Sequence, residues 1–367
     1  MKNFFKIIVA LVIIFSNSTS LANERLIEAS GEYIMDSRLD ETPASATARA
    51  REEAKRTAIE KAGVYLQSYS KMIDLVLDTD EVQTVAARLL KIQEESSNVE
   101  IIEKNLFKFT VTIKALVEEL NENDLKAMMQ NRQVLEELTR KNKELQEKYD
   151  VLNQQMAQYR SKFDTANDAQ KIEVKKEVAR NTEKFSAIDE FVKGNDFSLR
   201  KDYSQALKAY DTAIILDPQL AEAYNNRGIV KYDLEQYSAA IEDYSLAIKF
   251  KSNYAEALNN RGNAYATIGQ FQNAVQDLRA ALKINDNSAA THNNLGSVHL
   301  SQKNFNEAVK EYTRAIQLYP SYAEAYYNRA VAYYSQGKLV SALNDLQKAI
   351  NLNPQDNVAK EFYHRIN

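Results

Sequence analysis

The 367-residue sequence has no cysteine, no tryptophan and only three histidines. Without cysteine the chain forms neither disulfides nor thiolate metal sites, so packing alone must hold the fold. It also lacks a glycine-rich phosphate loop, an H-E-x-x-H pair, an acidic calcium loop and a serine nucleophile elbow. A formal net charge of −4 argues against a nucleic-acid surface. We therefore expect a non-enzymatic protein with no catalytic residues, no metal and no cofactor.

Long apolar runs are absent as well. The longest near the start, Ile7–Phe15, is shorter than the roughly 20 residues that span a bilayer. Lys2 and Lys6 precede it and small residues end at Ala22, which is typical of a secretory signal peptide. The sequence thus predicts a signal over residues 1–22, cleaved after Ala22, and a secreted or periplasmic protein without a stable membrane span. An uncleaved anchor is the alternative.

Proline and glycine are scarce, with four and eight residues, yet most of them follow one period of 34 residues. Units that start at 187, 221, 255, 289 and 323 share small residues at position 8, which are Gly194, Gly228, Gly262, Gly296 and Ala330. Position 20 is always alanine, position 24 is tyrosine or leucine, and position 32 is proline in three units. Such a period indicates stacked helical hairpins, with small residues at close helix contacts and proline ending the second helix.

This pattern resembles the tetratricopeptide repeat, a helix–turn–helix unit with Gly at position 8, Ala at 20 and Pro near 32. The resemblance covers 187–356 and implies a solenoid of five hairpins. Residues 357–367 carry Val358, Phe362 and Ile366 on one face and predict a capping helix. The alternative for them is a frayed tail.

In this family the first helix of each unit lines a concave groove with positions 2, 5, 6, 9 and 12. Asparagine recurs there, and its amide matches the C=O and N–H of one peptide unit. The predicted peptide-binding residues are Asn225, Asn226, Asn259, Asn260, Asn263, Asn293, Asn294, Asn328, Tyr232, Tyr327 and Tyr334. The alternatives are that the asparagines satisfy local polar groups and that the tyrosines pack between repeats. His292 and His299, at positions 4 and 11, predict packing rather than metal binding.

Residues 23–120 show another pattern. Their order predicts a strand over Leu26–Met35, a helix over 46–77, a second helix over 81–90, and strands over Val99–Ile102 and Leu106–Val117. The strand and its alanine-rich helix loosely resemble the N-terminal domain of flagellar assembly protein T and of small outer-membrane lipoproteins. That resemblance implies a small α+β envelope-assembly domain without catalysis.

Residues 121–186 connect the two parts. Neither glycine nor proline occurs between 64 and 193, and a heptad of apolar residues runs from Met128 to Ala166. It predicts a coiled coil, with Asn142 at a polar seam position. Self-association through 124–166 is one interpretation, and a helix that folds back on its own chain is the other.

Together these patterns predict a mainly α protein: five tetratricopeptide hairpins, a coiled-coil helix and a small N-terminal α+β domain. The function they favour is an exported adaptor or scaffold that binds protein or peptide segments in its groove. One alternative is an assembly component of a cell-envelope machine that docks through the N-terminal domain. Another is an accessory subunit of a cell-wall or glycan enzyme.

Overall fold

The computed structural model describes residues 25–72, 79–117 and 132–367, which form two compact units. The first unit runs to Glu144, and the second begins at Leu145. The short segment Asp36–Glu41 belongs by its contacts to the second unit. The predicted signal peptide lies outside the described residues.

In the described residues, the first unit contains a three-stranded sheet, two complete helices and the first turns of a third, longer helix. Its elements are β1 (Arg25–Asp36), α1 (Pro43–Met72), α2 (Thr79–Leu89), β2 (Leu90–Glu103) and β3 (Leu106–Val117). The strand order is β1-β3-β2, and β2 pairs antiparallel with β3. The predicted sequence of elements is confirmed, but β2 is longer than expected. Its polar middle lacks alternation, yet it pairs with β3 along almost the whole strand.

The core of this unit lies between α1 and the sheet. One face of α1 consists of fully buried alanines, which are Ala46, Ala50, Ala54, Ala58 and Ala62. Because these side chains are small, the helix backbone comes very close to β1. A Cβ on Gly31 would lie 2.2 Å from the Ala50 carbonyl oxygen, so only glycine fits there. The apolar side of β3, including Val111 and Ile113, completes the core.

In the described residues, the second unit consists of helices with short connections, together with the segment Asp36–Glu41, which contains a 3-10 helix over Ser37–Leu39. It contains the C-terminal part of α3 (Arg132–Thr165) and the long helix α4 (Asp168–Leu199). The helices that follow are α5 (Tyr203–Leu216), α6 (Ala221–Asp233), α7 (Tyr237–Phe250), α8 (Ala255–Thr267), α9 (Phe271–Ile284), α10 (Ala289–Ser301), α11 (Phe305–Leu318), α12 (Ala323–Ser335), α13 (Leu339–Leu352) and α14 (Asn357–Ile366).

Helices of the repeats pair as the 34-residue period predicts. The end of α4 packs with α5, and the next hairpins are α6 with α7, α8 with α9, α10 with α11 and α12 with α13. A series of tetratricopeptide-like hairpins is therefore confirmed. The capping helix at the C-terminus is present as α14, in which Phe362 is buried whereas Val358 is exposed.

Position 8 of the repeats explains how closely the paired helices approach. A Cβ on Gly228 would lie 2.7 Å from the ring of Tyr244, which is almost fully buried at position 24 of the same unit. Gly194, Gly262 and Gly296 face their own position 24 residues in the same way. Each glycine thus makes room for one large side chain of the partner helix.

The turn inside each hairpin has a feature that the sequence did not reveal. Position 15 has a positive φ in every unit, with Lys201, Glu235, Gly269, Lys303 and Gly337 there. Only two of these residues are glycine. The other three are strained L-residues, because the left-handed conformation costs roughly 1–2 kcal/mol outside glycine.

The apolar seam predicted for α3 is present in the second unit, and α4 of the same chain occupies it. Phe163 and Met156 are buried in one cluster with Val174 and Val178 of α4. Tyr149 packs against Phe185, with ring centroids 5.0 Å apart and the ring planes tilted by 55°. This arrangement is the fold-back alternative over residues 145–165. Self-association through 124–166 stays a prediction.

Two further contacts hold α3 and α4 together. The Asn181 amide, which is buried, donates to the Leu152 carbonyl oxygen at 3.1 Å. Leu39, from the segment Asp36–Glu41, is fully buried in the same apolar cluster as Met156. In the part of the chain that the structure describes, no helix combines the length and apolarity needed to cross a membrane.

Candidate functional site

The candidate site is the face formed by the first helices of the repeats. The end of α4, α6, α8, α10 and α12 contact one another in sequence, whereas each second helix packs behind its own first helix. The first helices therefore form one continuous surface. Residues at positions 2, 5, 6, 9 and 12 of each unit lie on or beside it.

Asparagines at positions 5 and 6 link neighbouring units through a repeated hydrogen bond. In each link the position 6 amide nitrogen of one unit donates to the position 5 amide oxygen of the preceding unit. The three bonds are Asn260 to Asn225 at 3.1 Å, Asn294 to Asn259 at 3.0 Å and Asn328 to Asn293 at 3.1 Å. Asn226 instead donates to Asn195 at 2.8 Å. The amides thus hold the units in register.

The position 5 asparagines lie in the contact between units, and a role for them in ligand binding stays a prediction. Asn225 and Asn293 are 0% and 1% exposed. Their amide nitrogens also donate to the glutamate at position 2 of the next unit, at 3.4 Å to Glu256 and 3.1 Å to Glu324. These two buried amides are therefore engaged within the chain at both oxygen and nitrogen, as buried polar groups generally are. Asn259 is half-buried and accepts from Asn294.

The position 6 asparagines remain candidates. Asn226, Asn260, Asn294 and Asn328 are all half-buried. An amide nitrogen carries two hydrogens, and the bond between units uses one of them. For Asn294 and Asn328 the second hydrogen and the oxygen have no partner among the described residues. These bonds fix the orientation of each amide, so the row is ordered before any ligand arrives.

Carboxylates at position 2 line the start of the same face. Glu222 pairs with Lys148 of α3 at 2.8 Å and with Lys251 at 3.2 Å. Burial alone would raise the pKa of Glu222, but Lys148, a backbone hydrogen bond and Lys251 together hold the pKa below its usual value. A lysine of the chain itself therefore pairs with the carboxylate at position 2 of the second repeat.

The predicted groove tyrosines and Asn263 also contact the chain itself. Asn263 donates to the Tyr232 hydroxyl of the preceding unit at 3.1 Å. Tyr327 and Tyr334 lie edge-on to Phe362 of α14, with centroids 6.2 and 5.4 Å apart. Tyr327 packs in the C-terminal cluster, as the packing alternative expected. Tyr334 is 48% exposed despite this contact.

Sequence reasoning missed a set of arginine–aspartate pairs that support this face. Arg261 at position 7 binds both carboxylate oxygens of Asp277 at position 23, at 2.7 and 2.9 Å, and also donates to Ser245 of the preceding unit. The equivalent pairs are Arg227 with Asp243 and Arg329 with Asp345. The signal was present, because Arg at 7 and Asp at 23 occur together in three units and are both absent from the other two.

The fourth unit has a histidine–glutamate pair in place of the arginine–aspartate pair. His292 Nδ1 lies 2.6 Å from a Glu311 carboxylate oxygen. Burial alone would raise the pKa of Glu311, but His292, Lys310 and His299 together keep the pKa below its usual value. His299 is 7% exposed, and burial lowers its pKa. Among the described residues, no three His, Asp or Glu side chains cluster as metal ligands would.

Comparison with protein families identifies the repeats. A family model described as TPR repeat matches residues 194–234, 230–269 and 296–337. A second, described as Tetratricopeptide repeat, matches 255–288 and 323–356. These matches fall on the hairpins described above, which are therefore tetratricopeptide repeats. The comparison with curated proteins gave no match.

Several solved structures are similar to part of the chain. YrrB, described as a TPR protein with an unusual peptide-binding site, is 25% identical over 52% of this chain and 96% of that chain, with a TM-score of 0.41. MamA is 24% identical over 46% and 93%, also with a TM-score of 0.41. A thermophilic TPR protein of Thermus thermophilus is 21% identical over 49% and 98%, with a TM-score of 0.44. Each likeness covers about half of this chain.

Proposed function

We propose that the chain is an exported, non-enzymatic adaptor that holds an extended segment of a partner protein on the face of its first helices. The observation that carries this proposal is the row of half-buried position 6 amides, which bonds between units hold in one orientation. Solenoids of stacked helix pairs present extended surfaces of this kind to their partners. Because the amides are ordered in advance, binding costs little side-chain entropy.

The spacing of the row suits a peptide backbone. Neighbouring helices pack about 8–10 Å apart, and an extended chain rises about 3.3 Å per residue. One position 6 amide therefore meets about every third residue of the bound segment. An amide recognises the backbone of that segment rather than a particular side chain.

Charge restricts the kind of segment. Position 2 carries Glu222, Glu256 and Glu324, and the first of these binds a lysine of the chain itself. The face therefore favours neutral or basic segments over acidic ones. Tyr334 supplies an exposed ring at the C-terminal end of the row for an apolar side chain.

Two double variants test the amide row. Asn260→Ala with Asn294→Ala removes two position 6 amides, and Asn225→Ala with Asn259→Ala removes the same two bonds between units from the other side. We expect the first variant to lower the capture of partner proteins from extracts of the source cells by about tenfold or more. The second should keep that capture at a temperature where both variants are folded. Equal loss in both, or no loss in the first, would remove the row from the proposal.

Export is part of the proposal and rests on the pattern of residues 1–22. Sequencing the N-terminus of the protein recovered from cells tests it, and Asn23 is the expected first residue. A mature chain that still begins at Met1 would contradict cleavage after Ala22.

An assembly component that docks through the first unit is the second candidate. It is favoured by the separate core of that unit and by the exposed strand β2. Deleting residues 23–120 separates the two functions. The adaptor keeps its bound partner, whereas an assembly component loses its place in the cell envelope.

A further inference from the structure

Strand β2 is the outer strand of the sheet and has an open edge. It lies at one end of the order β1-β3-β2, and in the described residues no strand pairs with its free edge. Every residue from Lys91 to Glu103 is exposed, whereas β3 beside it alternates between half-buried and buried. The buried core ends at β3, and only Leu90 of β2 packs against it in the part of the chain that the structure describes.

This strand carries apolar residues at both ends. Ile101 is 74% exposed, and the other exposed apolar residues are Ile92, Val99 and Ile102. Between them the middle of the strand, 93–98, is polar. A long, exposed edge with large apolar residues invites pairing with another strand, since alternate N–H and C=O groups point outward without partners in the sheet.

Charges on the strand are largely compensated within the first unit. Three of its glutamates pair with basic residues, namely Glu94 with Lys114 at 2.7 Å, Glu95 with Arg51 at 2.6 Å and Glu100 with Lys108 at 3.3 Å. A neighbouring strand of the same sequence therefore meets carboxylates that already carry a counter-charge. This compensation weakens the repulsion that like charges opposite one another would otherwise cause.

We propose that β2 pairs antiparallel with β2 of a second copy of this chain, with Ser97 on the two-fold axis. In that register Lys91 lies opposite Glu103 of the other copy, and Ile92 lies opposite Ile102. Both matches occur twice because the interface is symmetric. Glu94 then faces Glu100, and each of these already pairs with its own lysine. Two three-stranded sheets become one continuous sheet, and the exposed edge disappears.

This inference goes beyond the proposed adaptor function and does not depend on it. It places self-association on the first unit instead of on the helical seam, which α4 fills between residues 145 and 165. A pair of chains joined in this way carries two copies of the amide row.

The absence of cysteine gives a direct test. Ser97→Cys introduces the single thiol of the full-length chain. Residues opposite one another in an antiparallel pair have Cβ atoms about 4.5–5.5 Å apart, which is close enough for a disulfide after a small adjustment. We expect oxidation to trap a dimer through Ser97→Cys. Ser301→Cys, on an exposed residue of α10, should not give one.

Sedimentation equilibrium of the full-length chain supplies the second measurement. We expect a dimer whose dissociation constant rises about tenfold or more in Ile101→Lys. Ile215→Lys, which changes an equally exposed residue of α5, should leave it unchanged. A monomer up to about 100 μM would overturn the proposal. So would a dimer that Ile101→Lys does not weaken and Ser97→Cys does not trap.

Discussion

At the scale of single residues, the glycines of position 8 are required by packing. A Cβ on Gly228 would lie 2.7 Å from the Tyr244 ring, whereas the last unit has Ala330 opposite the smaller Leu346. The third unit keeps Gly262 opposite Leu278, so alanine at position 8 occurs only opposite a leucine but glycine occurs opposite either residue. The sequence alone revealed the small residues and the large ones, but the distance shows why a tyrosine at position 24 requires glycine at position 8.

Gly228→Ala should lower the free energy of unfolding by about 1–3 kcal/mol, because the added methyl overpacks the helix pair. The roughly 1 kcal/mol that alanine gains over glycine in a helix offsets part of this loss. Adding Tyr244→Leu copies the last unit and should restore most of the stability. Thermal unfolding followed by circular dichroism checks both variants. If Gly228→Ala alone is as stable as the parent, the Tyr244 ring moves away from the added methyl without cost.

His299 should make the fourth unit less stable in mild acid. Burial lowers its pKa, with Arg279 acting in the same direction and Glu311 and Glu307 against it. The unfolded chain therefore binds the proton more readily. Stability is lost as the pH falls below the ordinary histidine pKa of 6.5, by at most about 1.4 kcal/mol per pH unit. The lowered pKa of Glu311 acts in the same direction at lower pH.

His299→Tyr places at position 11 the residue that the third and fifth units have there. We expect its melting temperature to fall less than that of the parent between about pH 7 and pH 5.5. Identical slopes for the two proteins would mean that His299 titrates normally.

At the scale of elements, the heptad of α3 predicted which residues are buried but not their partner. An apolar stripe requires cover, and a neighbouring helix of the same chain satisfies it as well as a second copy does. Here the loop between α3 and α4 is short, so α4 folds back onto the stripe. The asparagine that caps α4, Asn167, forms a reciprocal capping box with Gln170, which fixes the start of that helix.

Met156→Ala tests this assignment, because Met156 is 1% exposed in the α3–α4 contact. We expect a loss of about 2–5 kcal/mol in the stability of that helix pair, with no change in oligomeric state. Val151→Ala, on the exposed side of α3, should cost less than about 0.5 kcal/mol. Hydrogen exchange of α3 and α4 reports the loss locally. Dissociation of an oligomer by Met156→Ala would instead favour a seam between chains.

At the scale of the whole molecule, the period of 34 residues was enough to predict the helical hairpins. The same period located the amide row, but it could not say which asparagine of each adjacent pair serves the fold. Asn225 is buried and contacts Asn260 and Glu256 of the next unit, whereas Asn226 is half-buried and donates to Asn195 of the preceding unit. Adjacent residues of one type give no sign of this difference. The full length of β2 was not predicted either, because its polar middle shows no alternation of apolar and polar residues that would indicate a strand.

The adaptor account requires that the partner lies on the face of the first helices. A photo-crosslinking side chain at Ala290, which is exposed at position 2 of α10, tests this directly in cells. The same group at Ile215, exposed on the second helix α5, serves as the reference. The account predicts that a partner protein is captured from Ala290 and not from Ile215. Capture from Ile215 alone, or equally from both, would contradict it.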